Sequence, residues 1–191
     1  MTESKAVDLS VLDATIDDLE GVLKLQYLGY QVEAQRYEAY HLEALTQTLA
    51  SLRQDLASTT MLVIRLPGGE IVGTVRGRRS GASVHVGRLV VHPRFQRQGL
   101  GSRLLSTLEQ HYRAGTRFDV FTGHRSEEFL GLYQRAGYRR YREDPVDDRL
   151  TLVHLEKLTP SGQAGQPSLE LSGQPGQERL TPQRRVPPGW T

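Results

Sequence analysis

Apolar and polar residues alternate from Val7 to Leu12, VDLSVL, at the period of two of a half-buried strand. The period then lengthens. Ile16, Leu19, Val22, Leu23 and Leu25 recur at near-helical spacing behind Thr15, an N-cap residue type, with Asp17 and Asp18 in the first turn where acids suit the helix dipole. This predicts a helix to about Tyr30, weakened near its end by Gly29. Residues 31–47 are polar with interspersed tyrosines, compatible with a helical continuation followed by a loop. Leu49, Leu52 and Leu56 line one face of a second helix that starts at Thr46 or Thr48 and ends about Ala57.

MLVIRL then reads as a short apolar strand, PGGE as a turn, IVGTVRGR as an alternating strand, SGA as a turn and SVHVGRLVVH as a third strand of one antiparallel meander. A further helix starts about Gly99, carries Leu100, Leu104, Leu105, Leu108 and Tyr112 on one face, and ends near Gly115. RFDVFTG is a strand. Ser126 is placed to cap the next helix, with Glu127 and Glu128 in its first turn and Gly137 closing it, before two last strands, YRRYRE and LTLVHLEK. The order βααβββαβαββ predicts a mixed α/β domain over residues 1–158. From Thr159 onward Gly, Pro, Gln and Ser dominate, which predicts a disordered tail over residues 159–191, with Trp190 a possible docking point.

Composition narrows the chemistry. The 191 residues contain no cysteine, which excludes disulfides, thiolate nucleophiles and Cys-ligated metal sites. Net charge is only +2, and the bases are arginines apart from Lys5, Lys24 and Lys157. The first residues, MTESKAVDLS, lack the apolar core of a signal peptide, and no window approaches the roughly 20 apolar residues of a membrane span. The expectation is a soluble cytoplasmic protein with no membrane partner. Arg76, Arg78 and Arg79, and Arg139, Arg140 and Arg142, carry no recognised nucleic-acid motif, so solvated strand edges account for them and a nucleic-acid partner is not expected.

The most informative stretch is VVHPRFQRQGLGSRLL, Val90 to Leu105. Two glycines, poor helix formers, stand at a helix start among Arg94, Arg97 and Arg103. A helix N-terminus offers unpaired N–H groups and partial positive charge, and glycine lets an oxygen come close to the backbone, so QRQGLG reads as a diphosphate cradle. It is not a Walker loop, since Gly101 is followed directly by Ser102 with no lysine. Nor does it complete a dinucleotide fingerprint, because Leu104 stands where the third glycine or alanine belongs.

QRQGLG resembles the Gln/Arg-x-x-Gly-x-Gly/Ala signature of the GNAT superfamily of N-acetyltransferases, which bind the diphosphate of acetyl-coenzyme A. FLGLYQRAGY, Phe129 to Tyr138, is similar to that family's later helix ending in Leu-Tyr-x-x-x-Gly-Phe/Tyr. With the element order, the resemblance spans residues 7–157. It implies a mixed, mostly antiparallel sheet of about six or seven strands flanked by about four helices. It further implies that the fourth and fifth strands splay apart around the pantetheine arm, with Leu89, Val90 and Val91 pairing with that arm through their backbone. Gln96, Arg97, Gln98, Gly99, Leu100, Gly101 and Ser102 would hold the diphosphate, and a main-chain N–H near Leu89 would polarise the thioester carbonyl.

The implied reaction is direct attack of a substrate amine on the thioester, with no metal required. An amine of pKa about 10 must lose a proton, and a thiolate of pKa about 8.5 must leave. Tyr133 matches the family's tyrosine facing the sulfur and is the candidate acid or hydrogen-bond donor. A core tyrosine on an amphipathic helix is the competing reading. His85 is the candidate base, acting through water; alternation puts it on the face of Leu89 unless a bulge intervenes. Glu33 is a second candidate, in an acceptor wall with Tyr30, Tyr37, Tyr40 and His41, and a solvated helix face is the alternative. His92, His111, His124 and His154 have no metal-ligand spacing and read as surface or packing residues. Ser126 stands where many relatives carry Asn against the cofactor arm, and is expected to keep one hydrogen bond to it. The acceptor is left open as a small-molecule or protein amine, and the assembly as monomer or homodimer. A non-catalytic acyl-coenzyme A binding module is the alternative function.

Overall fold

The computed structural model describes residues 9–159. The expected strand at Val7 is therefore partly outside the described residues, and the expected tail, with Trp190, lies outside them except for Thr159, whose amide donates to the Thr116 carbonyl at 3.0 Å as an ordered end of the sheet. The order is β1 (Val11–Asp13), α1 (Leu19–Tyr37), α2 (Glu43–Thr46), α3 (Leu49–Ser58), β2 (Thr60–Arg65), β3 (Ile71–Ser80), β4 (Ser83–Val91), α4 (Leu100–Gln110), β5 (Arg117–Gly123), α5 (Glu127–Arg135), β6 (Arg139–Pro145) and β7 (Thr151–Leu158). Seven strands form one sheet in the order β1-β2-β3-β4-β5-β7-β6. Every neighbouring pair is antiparallel except β4 and β5.

Two apolar faces hold the sheet between helices. On one, Leu100, Leu104, Leu105 and Leu108 of α4 pack on Leu62, Val75, Val86 and Phe118. On the other, Leu19, Val22 and Leu25 of α1 and Leu52 of α3 cover Met61, Val63, Ile71 and Val90. A third cluster joins the far end of α1, through Ala34 and Tyr37, to Leu150 and Leu152.

Thr15 precedes a single 3-10 turn, Ile16–Asp18, that leads into α1. The Asp18 carboxylate accepts from the Thr15 amide at 2.8 Å and from Arg65 at 2.7 and 2.8 Å, so an acid of the first turn also ties α1 to β2. α1 does not stop near Tyr30 but continues to Tyr37, where Glu38 takes a left-handed conformation and ends it. Gly29 has a packing reason rather than a terminating one. A Cβ there would lie 2.5 Å from Val90 Cγ1, so the missing side chain lets α1 lie close to β4.

Alanine normally favours a helix over glycine by about 1 kcal/mol, but the β-branched Val90 is stiff at χ1 and yields only at a cost, and overpacking costs about 1–3 kcal/mol. Gly29→Ala is therefore expected to lower the melting temperature by several degrees in a thermal melt; an unchanged or higher value would contradict this contact.

Candidate active site

β4 and β5 pair only over Ser83–His85 and Arg117–Asp119, and then separate. β4 stays bonded to β3 on its outer side up to Val91, and β5 to β7 up to Gly123. Between the two inner edges opens a cavity of about 1520 Å³, beyond the roughly 300–1,000 Å³ of ordinary small-molecule pockets. Leu89, Val90, Gly99, Gly101, Phe129 and Tyr133 are among its lining residues.

One end of the cavity is the start of α4. Gly99 sits at φ +78°, and Arg97, a non-glycine residue, at φ +62°. Among the described residues only Glu38, Arg88 and Arg97 are non-glycines in this left-handed region, and two of the three line the cavity. Such strain gathers at binding sites. The Gln96 amide reaches Pro93, and the first helical bond runs from the Arg103 amide to the Gly99 carbonyl at 3.0 Å. Among the described residues the amides of Arg97, Gln98, Gly99, Leu100, Gly101 and Ser102 find no acceptor, so the N-terminus presents them outward with its partial positive charge. The side chains of Gln96 and Gln98 shape the loop, donating to the carbonyls of Val91 at 3.0 Å and Arg94 at 3.4 Å. A Cβ on Gly101 would meet Leu132 Cδ1 at 2.7 Å, so this glycine also lets α4 touch α5 and close the end of the cavity.

Further along, Tyr133 lines the cavity although it is buried, and its hydroxyl has no hydrogen bond within the protein among the described residues. Burial, with a smaller contribution from Tyr30, pushes its proton affinity well above the usual phenol range, so it stays protonated.

His85 lies on the wall that Leu89 does not share. A bulge opens where Thr74 pairs with Val90 but Arg76 with Gly87, and Arg88 at φ +54° is the residue that absorbs it. Val84, Val86 and Leu89 consequently face α4, while Val90 faces α1. The common face that unbroken alternation gives His85 and Leu89 is therefore lost to the bulge. His85 Nδ1 lies 2.7 Å from Asp119 Oδ2 across the parallel pair, and its ring stacks on Phe121 at 5.1 Å. With the carboxylate accepting from Nδ1–H, Nε2 is left as the basic nitrogen, on the side of Gly87. Gly87 has an ordinary φ, and a Cβ there would find nothing nearer than 3.9 Å, so neither backbone nor packing requires glycine; its lack of a side chain widens the cavity beside His85.

Glu33 reaches the cavity from α1 and is no solvated face. Its carboxylate is buried, accepting from Arg36 at 2.7 Å and from the Ser126 hydroxyl at 2.5 Å. Burial pushes its pKa above the ordinary 4.5, with the Ser126 bond and the Arg36 charge opposing and the Glu128 charge adding. Ser126 does not cap α5 with its side chain and does not line the cavity. Since its proton goes to Glu33, it accepts from the Tyr37 hydroxyl at 2.9 Å, which in turn accepts from the Arg125 amide at 2.7 Å. The expected contact of Ser126 with a cofactor arm is thus replaced by a buried relay linking α1 to the turn before α5. Of the expected acceptor wall, Tyr30 and Glu33 line the cavity, Tyr37 belongs to the relay, and Tyr40 and His41 are exposed outside it.

Three groups escaped the sequence reading. Asp119 is one; its polar place between Phe118 and Val120 in a central strand was its only signal. Arg76 is buried, not solvated: it donates to Asp55 at 2.9 Å, Gln47 at 3.0 Å and Gln26 at 2.5 Å, and burial together with the nearby Arg88 charge pushes its pKa down to about 10. Arg88 is the third, stacked over the Tyr30 ring at 5.5 Å and 3.2 Å from Glu43. Among the described residues, no group of three or more His, Asp or Glu is placed to hold a metal, and no helix is long and apolar enough to cross a membrane.

A sheet whose single parallel pair opens beside a helix N-terminus of uncommitted amides defines the GNAT class of acetyltransferases. The chain belongs to that family: its model, described as an acetyltransferase (GNAT) domain, matches residues 29–159. Solved structures share the fold. A GNAT superfamily phosphinothricin acetyltransferase from Sinorhizobium meliloti, in complex with acetyl-coenzyme A, superposes with a TM-score of 0.65 at 15% identity, covering 83% of this chain and 92% of that one. PaiA N-acetyltransferase from Thermoplasma acidophilum, in complex with coenzyme A, gives 0.63 at 12% identity over 76% and 96%. A ribosomal-protein-alanine N-acetyltransferase from Brucella melitensis gives 0.61 at 19% over 78% and 99%.

Ser126→Ala removes one partner each from Glu33 and Tyr37, a loss of about 1–3 kcal/mol. A carboxyl whose folded pKa is raised gives its stabilisation below the unfolded pKa and loses it as pH rises through the folded one. Loss of the Ser126 bond raises the Glu33 pKa further, so the destabilisation is expected to be smallest below the ordinary 4.5 and to grow toward neutrality, as read by denaturant melts across that range. A pH-independent difference would remove Glu33 from the relay.

Proposed function

We propose that this acetyltransferase takes acetyl-coenzyme A as donor and transfers the acetyl group to a primary amine by direct attack on the thioester. The single observation that carries the reading is the opened β4–β5 pair ending at six uncommitted amides. A diphosphate fits those amides and the dipole behind them, and an extended amide-bearing arm fits the edge of Leu89–Val91 that β5 leaves open, where the Val91 carbonyl already accepts from Gln96. The donor supplies an activated acyl carbon and a thiolate leaving group.

The chain's own residues then account for the proton steps. His85 Nε2, oriented by Asp119, takes the proton that the amine gives up, directly or through one water. Backbone N–H near Leu89 receives the charge that develops on the carbonyl oxygen. As the new C–N bond forms and the C–S bond breaks, the Tyr133 hydroxyl donates to the sulfur. Its raised pKa suits a hydrogen-bond donor better than a full proton source. Glu33 has both oxygens engaged, so its role is to hold negative potential on the acceptor side rather than to act as the base. An available Tyr133 hydroxyl inside the cavity favours this reading over a pure binding module, which has no use for it.

Acetyl-coenzyme A is expected to raise the melting temperature, and Gly99→Val, which forces a branched residue into the left-handed region, to weaken that binding roughly fivefold to thirtyfold through about 1–2 kcal/mol of backbone strain. Tyr133→Phe should lower turnover roughly tenfold to hundredfold and His85→Ala roughly hundredfold or more, each with the cofactor-induced shift retained. Free-thiol release over an amine panel reads both. Stabilisation by the cofactor with no turnover on any amine would favour the binding module.

A further inference from the structure

We propose, building on the N-acetyltransferase reading, that the acceptor is an amine carrying a carboxylate close to its nitrogen, as an α-amino acid does, and that Arg88 is the residue that binds this carboxylate. Arg88 stands at the bulge of β4, between Gly87 and Leu89, in a left-handed conformation that arginine adopts at some cost. The bulge turns its guanidinium to the α1 side, across the sheet from Leu89, where it stacks on Tyr30 and lines the cavity. A backbone strained to aim one charged side chain into a cavity is a reason to ask what that charge meets.

Its present partner is a weak one. Glu43 lies 3.2 Å away, is about half exposed, and belongs to the four-residue helix α2. Arg88 itself is largely buried, at 14% side-chain exposure. A desolvated guanidinium held by one exposed carboxylate can exchange it for a ligand carboxylate, like for like, through the same fork. The neighbouring cations do not offer this. Arg76 is committed to Asp55, Gln47 and Gln26, and Arg78 to the other oxygen of Asp55 at 2.5 Å. One available guanidinium suits a monoanion such as a carboxylate better than a phosphate dianion.

The surrounding groups fit the rest of such a molecule. Tyr30 and Glu33 are three residues apart on α1 and hence on one helix face. The arginine stacked on Tyr30 and the carboxylate of Glu33 thus bring opposite charges to the same cavity wall, complementary to a zwitterion. Gly87 leaves space between Arg88 and His85, so an amine whose carboxylate rests on Arg88 has room to present its nitrogen toward Nε2.

The experiment compares amino acids with the corresponding decarboxylated amines as acceptors, and measures their binding to the coenzyme A-saturated protein by calorimetry. Amino acids are expected to bind and turn over, the decarboxylated partners to do so at least tenfold more weakly. Arg88→Gln should raise KM for the amino acid roughly tenfold to hundredfold and leave the decarboxylated amine unchanged. Glu43→Gln, an exposed change, should act oppositely and lower KM for the amino acid. Equal use of both amine sets, or loss in Arg88→Gln that strikes both alike, overturns the proposal, as does preference for aminophosphonates over amino acids. Arg88-dependent binding of amino acids without any turnover would leave this site standing and remove the transferase reading instead.

Discussion

The parting of β4 from β5 after three residue pairs is the constraint on which the rest of the structure turns. Each strand is anchored along its outer edge, β4 by β3 and β5 by β7, so the inner edges face one another without closing. Buried backbone groups rarely go unpaired, and an open edge inside a sheet is therefore an invitation to an extended ligand. The contact of Gly101 with Leu132 holds α4 against α5 across the mouth, and Leu130 and Tyr133 of α5 fill the α4-side core beneath it.

The bulge at Arg88 does two things at once. By shifting the parity of β4 it returns Leu89 to the α4-side core while turning Val90 to α1, so the strand can hold both cores through its last residues. It also puts a guanidinium beside the acceptor end of the cavity. On the opposite wall, the relay from Arg125 through Tyr37 and Ser126 to Glu33 joins the end of α1 to the β5–α5 turn. Donor and acceptor ends of the cavity are thus built by different elements. The donor end is mainly backbone, and the acceptor end mainly side chains.

That division explains how much was legible in the sequence. The strands of the meander, α3, α4 and α5 follow from periodicity and turn residues, and QRQGLG with FLGLYQRAGY marks the donor end because backbone approach demands glycine at particular positions. The acceptor end depends on which side chains meet across the fold. Residues 31–37 look polar because Glu33 and Tyr37 are satisfied by Ser126 and Arg125, nearly ninety positions or more away in the chain. Arg76 reads as a solvated strand edge because its partners Gln26, Gln47 and Asp55 come from α1, α3 and the segment between them. Strict alternation puts His85 on the face of Leu89, and the bulge that separates them falls at Arg88, where a left-handed residue that is not glycine leaves no mark in the sequence.

Amide hydrogen exchange, measured residue by residue with and without coenzyme A, tests the central claim most directly. The account predicts that the amides of Gly99, Leu100, Gly101 and Ser102, and those of Leu89–Val91 that point away from β3, exchange fast in the free protein and become protected together in the complex. Protection confined to other segments, or no change on adding the cofactor, would contradict it.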